Sequence, residues 1–130
     1  MILHAHGEFD VALVPLTSER AIPLMARMTN DKVFRGDLTG TSQGEMLSAA
    51  TSQKDSAGYV SIERVEGTLQ GRHGSFFLQH NGIMDRGAGT LTVSVIPDSG
   101  TGELSGLRGT LSIKMVDGRH VYDFEYSLPE

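Results

Sequence analysis

The chain has 130 residues, 11 Lys and Arg against 16 Asp and Glu, and a net charge of −5. That length suits one domain, and the acidic balance without a basic run argues against nucleic acid or an anionic membrane surface as a partner. With no cysteine, disulfides, thiolate catalysis and thiolate metal sites are all excluded, as a reducing cytoplasm would allow.

The opening MILHAHGEFD lacks a basic region followed by a long apolar core, and no apolar run approaches membrane-spanning length. The expectation is a cytoplasmic protein without leader or membrane anchor. His4 and His6 share one strand face, but spacing ties no carboxylate or third histidine to them, so no metal is expected. Gly7 to Leu16 reads as a strand with Phe9, Val11 and Leu13 on one face, and Thr17 to Leu24 as a loop with room for a turn of 3₁₀ helix.

Val33 to Ala49 is glycine-spaced, with Phe34, Gly36, Leu38, Gly40, Ser42, Gly44 and Met46 at one parity. Glycine at alternate strand positions marks bends, bulges or close backbone approach. The segment is therefore one sharply bent strand, or two strands broken near Gly40-Thr41. Glu45 shares the other parity with Asp37, Thr39, Thr41 and Gln43, either as part of a solvated face or as an acid lining the interior. Ala50 to Ala57 is a polar loop.

The richest stretch is Gly58 to Gly82, GYVSIERVEGTLQGRHGSFFLQHNG, two strands joined by a turn. A two-residue turn at Gln70-Gly71 and a four-residue loop over Gly71 to Gly74 both have even length, so either leaves the faces unchanged. Glu63 and His80 then share a face with Tyr59, Ser61, Val65, Phe76 and Leu78. Val60, Ile62, Arg64, Glu66, Phe77, Gln79 and Asn81 take the other face. A carboxylate beside an imidazole among aromatic groups is a candidate proton-transfer pair, since burial raises a carboxyl pKa and an adjacent carboxylate raises that of a histidine. The alternatives are a structural hydrogen-bonded pair or two rim residues.

Thr90 to Ile96 alternates with Leu91, Val93 and Val95 inward, and Pro97 to Gly106 is a turn-rich connection. Its glycines lead into a strand, whereas a phosphate cradle needs a following helix, so nucleotide binding is rejected. Leu107 to Val116 and Arg119 to Leu128 flank Asp117-Gly118, the dipeptide a type I′ turn prefers. Leu107, Leu111, Ile113 and Met115 meet Tyr122, Phe124, Tyr126 and Leu128 on the buried face, with His120 near the turn; Thr110, Ser112, Lys114, Arg119, Asp123 and Glu125 are wet. Ser42 and Ser61 lack a partnered base, which leaves a nucleophilic hydrolase unsupported. The 6 methionines read as core fillers.

About eight short antiparallel strands, with helix nearly absent, make an all-β chain spanning 1–130 as a single domain. Closure into an antiparallel β-barrel removes edges that a small sandwich would have to protect. GDLTGTSQGEML, GYVSIERVEGTLQGRHGSFFLQHNG and PDSGTGELSGLRGTLSI...DGRHVYDFEYSL together resemble the bacterial family catalogued as domain of unknown function 3224. That resemblance covers Gly7 to Leu128 and implies a barrel similar to that of allene oxide cyclase, with no activity assigned.

Two functions are expected from the residues. As a binding module, the barrel holds a small apolar or amphipathic ligand among Tyr59, Phe76, Leu78, Tyr122, Phe124 and Tyr126, with Glu63 and His80 orienting its polar end. As an enzyme, it runs cofactor-free isomerisation or cyclisation with His80 or Glu63 as base and Tyr122 as hydrogen-bond donor. A filled, purely structural barrel is the third possibility. If Glu63 and His80 face inward, Val60, Ile62 and Phe77 face outward, and the chain is expected to form a homo-oligomer.

Overall fold

In a computed structural model, described over residues 1–17 and 20–130, the chain is all-β. Its strands are β1 Leu3–Ala12, β2 Met25–Thr29, β3 Asp31–Gly36, β4 Leu38–Ala50, β5 Ala57–Leu69, β6 Arg72–Asp85, β7 Ala88–Val95, β8 Arg108–Val116 and β9 Arg119–Ser127. Every pairing is antiparallel, in the order β4-β3-β1-β9-β8-β7-β6-β5, and β5 returns to β4. Eight strands therefore close a barrel. The ninth, β2, pairs with the far half of β4. Among the described residues the helical content is a 3₁₀ turn at Gly102–Leu104, and no helix is long and apolar enough to cross a membrane.

Three of the connections are two-residue turns with both central φ angles positive: Gln70-Gly71, Arg86-Gly87 and Asp117-Gly118. That is the type I′ geometry, whose twist matches the right-handed twist of its strands. Asp117-Gly118 was expected, and the shorter of the two Gln70-Gly71 options is the one formed. Arg86-Gly87 was missed because Arg is not a usual first residue for such a turn.

The glycine-spaced segment is two strands, as one of its readings had it, but the break falls at Asp37 rather than at Gly40-Thr41. Gly36, with φ +103°, makes the turn. Gly40 is spent otherwise: it stands opposite Gly67, and Gly67 stands opposite Gly74. A Cβ on Gly40 would sit 2.2 Å from Glu66 O, and one on Gly67 2.1 Å from Thr39 O. Along this row of three glycines the backbones come closer than side chains would allow.

The first strand begins earlier than expected and its ladder ends at Ala12, leaving Leu13 exposed. The register nevertheless persists through the Pro15–Met28 bridge and the Leu16 N–H to Arg27 O bond. Proline has no N–H to continue a ladder. Of the Thr17 to Leu24 loop, Ser18 and Glu19 lie outside the described residues, and the remainder is irregular.

The core occupies one end of the barrel. Phe34, Leu38, Leu69, Phe76, Leu78, Tyr122, Phe124 and Tyr126 are buried, and Leu104 and Leu107 from the connection before β8 join them. Phe76 stacks on Phe124 with centroids 6.0 Å apart, and Phe124 leans on Tyr126 at 5.2 Å. Tyr122 and Phe124 are thus inside and Asp123 and Glu125 outside, as their alternation required. Met115 and Leu91 were expected in the core and are exposed, because their inward positions fall at the opposite, unfilled end of the barrel. Nor is any of the 6 methionines a core filler: none is buried.

The glycine row sets a test. Gly67→Ala should lower stability by roughly 3 kcal/mol, since its Cβ meets backbone rather than a movable side chain. Gly58→Ala, whose Cβ would have its nearest neighbour at 3.8 Å, should change it by less than about 0.5 kcal/mol. Urea midpoints of the two variants decide the matter; equal midpoints would show that the close approach at Gly67 does not require glycine.

Candidate functional site

Register builds the interior in rows. Pairings across β4, β5, β6 and β7 align Ser48–Tyr59–Gly82–Leu91, then Met46–Ser61–His80–Val93, then Gly44–Glu63–Leu78–Val95. Successive rows are two residues apart, about 6.8 Å along a strand. Asn30 extends the third row, its N–H donating to Gly44 O. Lys32 begins the next, opposite Ser42.

Glu63 and His80 are therefore one row apart on neighbouring strands, both inside. Their exposures are 0% and 3%, and His80 Nε2 lies 2.6 Å from Glu63 Oε2. The same carboxylate oxygen accepts from Lys32 Nζ, a third buried partner that the sequence reading passed over. Lys32 has the inward parity of Phe34, so extending that alternation by two residues would have found it. Gly44 makes the contact possible. It stands between β3 and β5, and a Cβ there would lie 2.7 Å from Glu63 Cβ. Lys32 Nζ also rests 5.2 Å from the Phe9 ring centroid, within cation–π range. Above Gly44, Asn30 Nδ2 donates to Ser61 Oγ at 2.8 Å.

Burial alone would push the Glu63 carboxyl up, yet the His80 hydrogen bond and the Lys32 charge together outweigh it and hold the group below its ordinary value. Glu63 is accordingly a carboxylate. Its Oε1 is buried without a hydrogen-bond partner, as is Ser42 Oγ.

The structure divides the other expected site residues. Tyr59 lies at the open end, with its ring over Gly82: a Cβ on Gly82 would sit 2.3 Å from Tyr59 Cε1. Burial, and then the Glu63 charge, raise its hydroxyl pKa. Tyr122, expected as a donor to the site, instead accepts from the Leu38 N–H at 2.9 Å and faces the Arg35 and Leu38 carbonyls at 2.9 and 3.2 Å. It clamps the β3–β4 turn. Tyr126 donates to Gln70, while Phe76, Leu78 and Phe124 are packed core.

Tyr59 borders a cavity of about 590 Å³ at the open end, together with Met46, Ser48, Gly82, Leu91 and Ile113. Glu45 points outward and pairs with Arg27 at 2.6 Å, which settles it as part of the solvated face. His4 and His6 are exposed, 3.9 and 3.5 Å from Asp123, and no group of three ligating side chains among the described residues could hold a metal. Val60, Ile62 and Phe77 lie on the outer face and are exposed.

Fold and interior define a class: a closed eight-stranded antiparallel barrel, filled at one end, with a buried Lys–Glu–His cluster at mid-height. Within that class, the family described as "Protein of unknown function (DUF3224)" matches residues 5–126. The chain belongs to this family. A crystal structure of a protein of unknown function from the same family, from Shewanella oneidensis MR-1, is 47% identical, with a TM-score of 0.94 over 100% of this chain and 99% of that one. A search of curated proteins finds no match.

The lowered Glu63 pKa fixes a sign for stability. Its contribution is full above the ordinary value of 4.5 and is lost as pH falls through the lower folded value. Denaturation midpoints of the wild type should therefore drop on acidification below about pH 4.5, and those of Glu63→Gln should drop less. Parallel pH profiles for the two proteins would remove the buried carboxylate as a source of acid lability.

Proposed function

We propose that the chain binds a small, mainly apolar ligand in the open end of the barrel. Its tail lies among Met46, Leu91 and Ile113, and its polar end points toward Tyr59 and the Lys32–Glu63–His80 cluster. One observation carries this reading: side chains with inward parity at this end are exposed, Leu91 by 40%, Met84 by 42% and Met115 by 60%. In a filled barrel those positions would be core. Leu91 and Met84 line a space of about 590 Å³, within the range of small-molecule pockets, roughly 300–1,000 Å³. Flexible, polarisable methionines suit a site that must adapt to its ligand.

A second reading is supported by the Glu63–His80 pair itself. A carboxylate on Nε2 holds the proton there and leaves Nδ1 as the basic atom, the arrangement of a general base with an orienting acid. With Tyr59 in place of Tyr122 as the donor, cofactor-free isomerisation or cyclisation is the chemistry this would serve. Either role belongs to the cytoplasm under this proposal.

Self-association is part of the same reading, because Val60, Ile62 and Phe77, with Leu47 beside them, form an apolar outer face. Sedimentation equilibrium should show a concentration-dependent oligomer that Ile62→Lys dissociates. A monomer at all concentrations counts against it.

Binding is checked with N-phenyl-1-naphthylamine, a neutral probe that brightens in apolar surroundings. Saturable enhancement is expected, and Leu91→Glu, which puts a charge into the cavity at an exposed position, should weaken it at least about tenfold, or 1.4 kcal/mol. No saturable signal, or equal affinity in the variant, would refute the site.

A further inference from the structure

We infer that the polar end this site accepts is a neutral hydroxyl donated to Glu63 Oε1, so that its ligand class is an amphipathic alcohol rather than a carboxylate or an amine. The inference rests on the binding reading above and names the head group. Two buried oxygens in the interior, Glu63 Oε1 and Ser42 Oγ, have no hydrogen-bond partner, although buried polar atoms are nearly always bonded. An ionised carboxylate only accepts, so the group opposite Oε1 has to donate. A serine hydroxyl both donates and accepts. A hydroxyl can donate to Oε1 and brings no charge with it.

Charge decides against the alternatives. Lys32 and Glu63 balance one another inside the barrel, with side-chain exposures of 5% and 0%. An ammonium head would add an unbalanced cation beside Lys32, and a carboxylate head would add a second anion beside Glu63. Unpaired charge in such a place is far costlier than a neutral group.

The path runs through the rows. Met46 and Gly82 line the cavity, and Met46 shares its row with Ser61 and His80. Glu63 lies in the row beneath and reaches up to His80 Nε2. Gly82 carries no side chain, and the Tyr59 ring occupies the space its Cβ would take. A ligand with its tail in the mouth has its head at Tyr59, and displacement of that ring opens the way to Oε1.

The experiment displaces N-phenyl-1-naphthylamine from the wild-type protein at about pH 8 with four ten-carbon compounds: 1-decanol, decyl methyl ether, decanoate and decylamine. The ether matches the alcohol in apolarity but cannot donate. Decanol is expected to displace the probe at a concentration at least about tenfold lower than each of the others, the effect of one well-placed hydrogen bond to a charged group. In Glu63→Gln, which leaves Lys32 unbalanced, its advantage over decanoate should fall at least tenfold. Because that variant could fail to fold, a second measurement uses the wild type alone: with ¹³C-carboxyl-labelled glutamate, the Glu63 resonance should shift on adding decanol and stay unmoved by the ether. Equal displacement by alcohol and ether, or a Glu63 resonance that decanol leaves in place, overturns the hydroxyl assignment while the cavity stands. Absence of probe binding overturns both.

Discussion

The pairing of β4 with β5 is the constraint from which the interior follows. It runs over the whole length of β4, from Leu38 opposite Leu69 to Ala50 opposite Ala57, and it joins the first half of the sheet to the last. Without it, Lys32 and Glu63 would lie at opposite ends of an open sheet. With it, each inward side chain is assigned to a row, and a slip of one residue would turn every one of them to solvent. The glycines at 40, 44 and 67 are what the wall requires to come this close, since a Cβ on each would meet the backbone or the Cβ of the neighbouring strand within 3 Å.

The two ends of the barrel solve different problems. Toward Leu38 and Leu69, aromatic rings and the Leu104–Leu107 corner exclude water, and Tyr122 satisfies the backbone of the β3–β4 turn that closes beside them. Toward Tyr59 and Leu91 the inward residues are apolar but unfilled. The cluster of Lys32, Glu63 and His80 sits between the two. A buried ion pair is seldom worth its desolvation, and apolar residues of similar volume often stabilise a fold as well or better. Its presence under an open cavity is therefore weak evidence for a stabilising role.

Such an arrangement also limits how far likeness can be taken. Barrels of one architecture host unrelated activities, and function belongs to the site. Here the site is a carboxylate with one oxygen occupied by two donors and the other free, beneath a tyrosine ring that covers a glycine. These features come from three strands, β3, β5 and β6, and the near-identical fold of the Shewanella oneidensis relative places them in a shared framework without assigning them a task.

Much of this was legible in the residues, and for a definite reason. Strand alternation has a period of two, so an even-length turn places Glu63 and His80 on one face whatever its type, and the aromatic residues on that face pointed it inward. Asp117-Gly118 announced its turn because few other dipeptides accept two positive φ angles. Lys32 was equally readable from the parity of Phe34 but was passed over, since a lysine is ordinarily taken as a surface residue. Other features were not local at all. Parity tells which face of a strand a residue occupies, but not which end of a barrel is filled, so Met115 and Leu91 looked like core and Tyr122 like part of the site. That distinction depends on where closure brings the Leu104–Leu107 corner, and on which strand ends are left without one. Nor could alternation along one strand show that Lys32 and Glu63, 31 residues apart, form an ion pair. Only the closed register, with a glycine between them, brings the two charges together.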